Sequence, residues 1–176
     1  SEKILLPYLK KWKVPLFRDF DDNEKLFKET YDAITLPRRS TKGSAGYDFY
    51  MPFDGIPLYP GESVTIPTGI KMQLISGYFL GIYPRSSYGF KYKMRLDNTV
   101  GIIDSDYYNN SDNEGHIMIK VSCEILPPFN LGVGHPLLYM DRETKFSQGI
   151  IMPYGVTYND NPCDNERTGG IGSTGK

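Results

Sequence analysis

Residues 63–83 read Ser-Val-Thr-Ile-Pro-Thr-Gly-Ile-Lys-Met-Gln-Leu-Ile-Ser-Gly-Tyr-Phe-Leu-Gly-Ile-Tyr. Three short runs rich in β-branched and aromatic residues, 63–66, 70–74 and 78–83, are separated by Pro67-Thr-Gly69 and Ser76-Gly77. Each run is too short for a helix, and Pro and Gly break the chain where turns are needed, so the stretch reads as consecutive strands. The same texture continues outward, with further strands expected at 47–51, 116–125, 137–140 and 149–153. Turn residues cluster at 52–55, 59–61 and 127–128. Many short strands at even spacing predict an all-β fold, an antiparallel sandwich, jelly roll or small barrel. No internal repeat is visible.

The composition agrees. The 176 residues suffice for one domain with a real core, and 14 Tyr, 9 Phe, 18 Gly and 13 Pro favour strands and turns over a helical bundle. Lys and Arg total 20 against 21 Asp and Glu, a net charge of −1, so nothing draws the chain as a whole to nucleic acid or to an anionic membrane. Any anion site must be local. Cys123 and Cys163 match no metal-ligand spacing and read as reduced thiols of a cytoplasmic protein (the host cytoplasm, if viral). Ile4-Leu-Leu6 is too short for a signal peptide and Pro7 ends it; no apolar run approaches a membrane span.

Residues 1–35 are expected to form an N-terminal extension with one short amphipathic helix over 21–33. Asp21 or Asp22 can cap it, Glu24 can pair with Lys28, and Leu26, Phe27, Thr30, Tyr31 and Ile34 form its apolar stripe. Lys10-Lys-Trp-Lys13 is either a solvated face or a binding patch. A β-domain over 36–158 follows, with 108–114 as a polar surface loop. Residues 159–176 form a linker and a Gly-rich tail. Gly170-Ile-Gly-Ser-Thr-Gly-Lys176 imitates a phosphate-binding P-loop, but that motif needs a helix after the lysine and none of the sequence supplies it. The tail is either a simple flexible terminus or an arm that orders over a phosphorylated ligand.

Four internal segments carry candidate chemistry. Pro84-Arg-Ser-Ser-Tyr-Gly89 sets a guanidinium and two hydroxyls at a strand end where a helix can begin, which suits phosphate oxygens, or else makes an ordinary capped turn. Asp104 directly follows the apolar triplet Gly101-Ile102-Ile103. A partly shielded, ionised carboxylate there can act as general base for water, with Tyr107 offering a flat ring to a sugar or base; Asp-Ser-Asp is also common turn chemistry. Asp48 lies mid-strand and needs a partner. Gln148 interrupts an apolar strand, as a ladder residue or as an amide aimed into a site. His116 and His135 lack partners at metal-ligand or triad spacing.

Taken in order, Ala45-Gly-Tyr-Asp-Phe-Tyr50, Pro84–Gly89, Asn98–Tyr107, Lys145–Pro153 and Arg167–Gly175 resemble the five motifs of the trimeric dUTPases. The resemblance implies a jelly-roll-like β-barrel subunit and a homotrimer with sites between subunits. It implies hydrolysis of dUTP to dUMP and pyrophosphate, with Asp104 activating the water that attacks the α-phosphorus. Tyr107 would pack under the deoxyribose. A hairpin from Asn98 through Gly101, Ile102 and Ile103 would read uracil, with Met118 lining the pocket. Arg85, Ser86, Ser87 and Gln148 would hold the phosphates, and Asp48 would support the site. Arg167, Ile171, Gly172 and Ser173 would close over the triphosphate, usually at a neighbouring subunit's site. Mg2+ is expected on phosphate oxygens and waters, without a direct protein ligand. No nucleic-acid or membrane partner is implied.

The chain departs from the family pattern in places. Ile171 stands where an aromatic usually stacks on uracil, which forgoes about 0.5–1.5 kcal/mol of ring–ring interaction. Glu143-Thr-Lys145 replaces the usual Gly-Asp-Arg, and 108–114 is inserted where the family turns at once. Two alternatives share the fold: a dCTP deaminase-like enzyme, and a non-catalytic dUTP-sensing regulatory module.

Overall fold

The structure, a computed structural model, describes residues 1–4, 24–54, 56–124, 138–163 and 167–170. Its strands are β1 (Glu2–Lys3), β2 (Arg38–Arg39), β3 (Tyr47–Tyr50), β4 (Ile56–Leu58), β5 (Ser63–Pro67) and β6 (Ile70–Lys71). They continue with β7 (Tyr78–Pro84), β8 (Met94–Leu96), β9 (Gly101–Ile103), β10 (Met118–Cys123), β11 (Leu138–Met140) and β12 (Lys145–Pro153). Two helices are described, α1 (Glu24–Ala33) and α2 (Ser86–Tyr92), with a 3₁₀ turn at Ser105–Tyr107.

The strands build the expected all-β jelly-roll-like subunit. One sheet has the order β2-β3-β12-β7-β9 and a second β5-β10-β8, with smaller pairs β11-β4 and β1-β6. Every named pair is antiparallel. Phe49, Phe146, Leu80 and Ile82 of the larger sheet share one buried cluster with Ile66, Leu96, Ile119 and Val121 of the second. Alternation explains the assignment: in β10, Ile119, Val121 and Cys123 are buried and the residues between them are not. Phe146 is wholly buried, and cutting it to alanine would cost about 3–5 kcal/mol.

β12 holds the larger sheet together, paired with β3 on one side and with β7 on the other over 145–153. A register shift between Lys145 and Ser147 inserts Phe146 as an extra residue. Lys145 then lies opposite Tyr50, and Gln148 opposite Asp48. Residues three apart on a regular strand face opposite sides; the bulge lets Lys145 and Gln148 share the face of Asp48.

The described ends of the N-terminal segment pack on the β-domain. Ile4 is buried and its N–H bonds the Gly69 carbonyl at 2.9 Å. Lys3 Nζ donates to the Tyr31 and Asp32 carbonyls at the end of α1, at 2.9 and 3.0 Å. Ile34 fills the space a Gly69 side chain would need, and Gly69 has φ +70°. Thr30 and Ile34 are buried as the stripe predicts, while Lys28 pairs with Asp32 at 2.5 Å. The caps at Asp21 and Asp22 and the Lys10–Lys13 cluster lie outside the described residues. Sequence periodicity did not single out β1, β2, β4 and β8, because two or three residues are too few to show alternation. The strand expected at 70–74 pairs only over Ile70–Lys71. No described helix is long and apolar enough to cross a membrane.

Candidate active site

The candidate residues gather at two separate places. The first surrounds Asp48, which is buried mid-strand and fully partnered. Arg85 Nη1 donates to Oδ1; Ser40 Oγ donates to Oδ2 at 2.5 Å, and Lys145 Nζ lies 3.0 Å from the same oxygen. Burial pushes the Asp48 pKa upward, but the bonds from Ser40, Lys145 and Arg85 outweigh it and hold the carboxyl below its usual range. Two cations share one carboxylate, which leaves net positive charge beside α2. Ser86 and Ser87 are exposed in the first turn of that helix. Gln148 lies between Asp48 and Tyr83 in register, and its Nε2 reaches the Pro84 carbonyl at 3.4 Å. Gly46 permits this, since any side chain there would collide with Gln148 Oε1. Ser40 gave no signal in the sequence; Lys145 was visible there only as a departure from the family pattern.

The second place is built on β9, the edge strand of the larger sheet. Asp104 follows it directly and starts the 3₁₀ turn that presents Tyr107. Arg167 Nη2 donates to Asp104 Oδ2 at 2.5 Å, its Nε to Asp106 Oδ1 at 2.8 Å, and its guanidinium stands 5.8 Å from the Tyr107 ring centroid. Tyr107 is buried, which raises its phenol pKa. Its hydroxyl donates to the His116 carbonyl at 2.8 Å and accepts from Asn113 Nδ2 at 2.6 Å. Met118 begins β10 two residues beyond His116. Asn98 is exposed in the tight turn before β9, where Thr99 has φ +66° and the Val100 N–H bonds the Asn98 carbonyl at 2.7 Å. The expected hairpin is a corner instead: β8 pairs with β10 and β9 with β7, so the turn passes between two sheets. Ile102 is exposed and Gly101 buried on this edge.

The 108–114 loop is not a simple surface loop. Asn110 and Asn113 are buried because their amides bond the loop's own backbone. Nor is the base of the tail free. Arg167–Gly170 lie against Asp104, Tyr107 and Asp112 of the same chain. Ile171, Gly172 and Ser173 lie outside the described residues.

Strand register separates the two groups. Ile103 pairs with Leu80, so Asp104 falls beside Phe79, whereas Arg85 follows Pro84 at the other end of β7. Six residues of strand span about 20 Å. One chain therefore presents a phosphate-type half-site and a carboxylate–ring half-site at opposite ends of a strand.

A jelly-roll subunit with Arg85, Ser86, Ser87 and Gln148 at one end of β7 and the half-exposed Asp104 beside the Tyr107 ring at the other fits a nucleotide hydrolase. The chain belongs to the dUTPase family, whose model matches residues 32–134. A deoxyuridine 5'-triphosphate nucleotidohydrolase of Lactococcus lactis subsp. lactis is 40% identical over 143 residues, covering 81% of this chain and 89% of that protein. The crystal structure of dUTPase from Streptococcus mutans matches with a TM-score of 0.60 at 32% identity, covering 72% of this chain and 90% of that one. A mutant dUTPase of the S. aureus phage phi11, in which a structural Mg(II) ion is coordinated, shares the fold with a TM-score of 0.56 at 18% identity over 77% of this chain and 94% of that one.

Proposed function

We propose that the chain hydrolyses dUTP to dUMP and pyrophosphate in the cytoplasm, as a homotrimer. The observation that carries the reading is Asp104 beside Tyr107, with Arg167 on the carboxylate. Asp104 accepts a proton from water as the water oxygen bonds the α-phosphorus. The α–β bridging bond breaks and pyrophosphate leaves. Tyr107 is held by its hydroxyl at both partners, so its ring is a fixed floor for the deoxyribose, where a 2'-hydroxyl would collide. The outer edge of β9 and the Asn98 amide read uracil, and Met118 lines the pocket. Arg85, Ser86, Ser87 and Gln148 bind the phosphates, with Asp48 fixing Arg85.

The separation of the half-sites along β7 supports a multi-chain site, in which Arg85 of one subunit meets Asp104 of another. Asp104 and Asp106 both face Arg167, so their carboxylates are engaged by a cation of the chain itself. Mg2+ would be carried on triphosphate oxygens and waters, where it would neutralise the charge of the leaving pyrophosphate. The test is a pyrophosphate-release assay with dUTP, UTP, dTTP and dCTP and an ammonia assay on dCTP. Selective turnover of dUTP is expected. Ammonia from dCTP, or binding of dUTP without turnover, would reject the reading.

A further inference from the structure

We propose that Asp97 is a positioning residue for base recognition: it fixes the corner between the two sheets, and so holds the Asn98 amide beside the edge strand β9. The inference rests on the hydrolase reading above, in which that amide and that edge read uracil.

The corner is short and contains a strained residue. Leu96 ends β8 in the second sheet and Gly101 begins β9 in the larger one, so residues 97–100 carry the chain across. The Thr99 N–H bonds the Leu96 carbonyl at 3.0 Å, and Thr99 takes φ +66°. A β-branched residue adopts that conformation only where its surroundings impose it. Asn98 is exposed, and its Nδ2 lies 3.8 Å from where a Cβ on Gly101 would sit. The path of the backbone through the corner therefore lays the amide along β9.

Asp97 ties that path to the second sheet twice. Its N–H bonds the Lys120 carbonyl at 3.1 Å, which extends the β8–β10 ladder by one residue. Its side chain, 25% exposed, joins a polar cluster on the solvent face of the sheet. Register assembles the cluster: Ser122 of β10 pairs with Arg95 of β8 and with Ser63 of β5, and Lys120 shares the face of Ser122. Lys120 Nζ stands 3.1 Å from Asp97 Oδ2. Burial pushes the Asp97 pKa upward, but hydrogen bonds from Ser122, Ser63 and Lys120 outweigh it and hold the carboxyl below its usual range. Lys120 is 55% exposed, so water screens its share, and the two hydroxyls are the firmer anchor. Arg95 and Glu124 form a separate ion pair on this sheet, toward the opposite end of the β8–β10 ladder. The acid next to Asn98 is thus the one bonded to both other strands of the sheet.

Steady-state kinetics of the full chain with dUTP and dCTP test the proposal. Asp97→Ala should raise KM for dUTP about tenfold, leave kcat within about twofold, and lower the preference for dUTP over dCTP in kcat/KM by a similar factor of about ten. Asp97→Asn keeps an oxygen for the two hydroxyls and should recover most of the KM. Glu124→Gln breaks the other ion pair of the sheet and should match the wild type. Wild-type KM and preference in Asp97→Ala, whatever its Tm, would overturn the proposal and leave Asp97 a merely structural residue. A second readout does not depend on turnover. Hydrogen exchange at the Thr99 and Val100 amides should be about tenfold faster in Asp97→Ala and unchanged in Glu124→Gln. Unchanged exchange in Asp97→Ala would overturn the proposal even if the wild type proved inactive on dUTP, an outcome that by itself rejects only the hydrolase reading.

Discussion

Asp104 has 45% of its side chain exposed, so the carboxylate can exchange Arg167 for a water once a triphosphate attracts the guanidinium. Asp104→Asn keeps size and polarity but removes the base. Turnover should fall by about 10²–10⁴-fold while dUTP binding and the trimer persist; near-normal steady-state turnover would reject the assignment. His116 works differently. It is buried, its Nε2 accepts the Gly69 N–H at 3.0 Å, and burial pulls its pKa down to about 4. That hydrogen bond requires the neutral ring. Because the folded pKa lies below the unfolded value near 6.5, the unfolded chain binds more protons between the two, and stability falls as pH drops from about 6.5 toward 4. From pH 7 to pH 5 the loss from this group is about 2 kcal/mol. Urea unfolding at both pH values should show it in the wild type and not in His116→Gln, whose amide oxygen can accept the same bond without titrating. The sequence marked His116 as lacking ligand partners, but it could not show that the ring caps a turn 47 residues away.

At the scale of elements, short-range signals were readable and long-range ones were not. The strands from 63 to 83, the helix ending at Ala33, and Asp104 after an apolar triplet all follow from local periodicity and turn chemistry. The bulge at Phe146 is invisible to periodicity, because the sequence alone does not reveal which residues oppose each other. Without it Lys145 would not reach Asp48. The insert misled for a related reason. Tyr-Asn-Asn-Ser-Asp-Asn-Glu has the composition of a solvated loop, yet Asn110 and Asn113 are buried through bonds to their own backbone. Asn113→Ala should therefore act twice. Removing the donor to the Tyr107 hydroxyl and the acceptor for Gly115 should cost about 1–3 kcal/mol in chemical denaturation. It should also loosen the Tyr107 ring and raise kcat/KM for UTP relative to dUTP. A stability loss with unchanged discrimination would show that the ring is positioned by its other contacts alone.

At the scale of the molecule, the chain holds the group around Asp48 and Arg85 and the group around Asp104 and Tyr107 but does not bring them together. The segments around Asp48, Arg85, Asp104, Gln148 and Arg167 stood out in the sequence; their division between the two ends of β7 did not, because it depends on Ile103 pairing with Leu80 and Ser147 with Pro84. The division makes a prediction about mixtures. Arg85→Ala chains keep an intact Asp104 half-site, and Asp104→Asn chains keep an intact phosphate half-site. Neither homotrimer should turn over dUTP at an appreciable rate. In a cyclic trimer containing both chain types, one interface must join the intact Asp104 of the first to the intact Arg85 of the second. Activity should then return to about a third of the wild-type level in every mixed trimer, whichever chain is in excess. A site formed within one chain would leave all mixtures inactive.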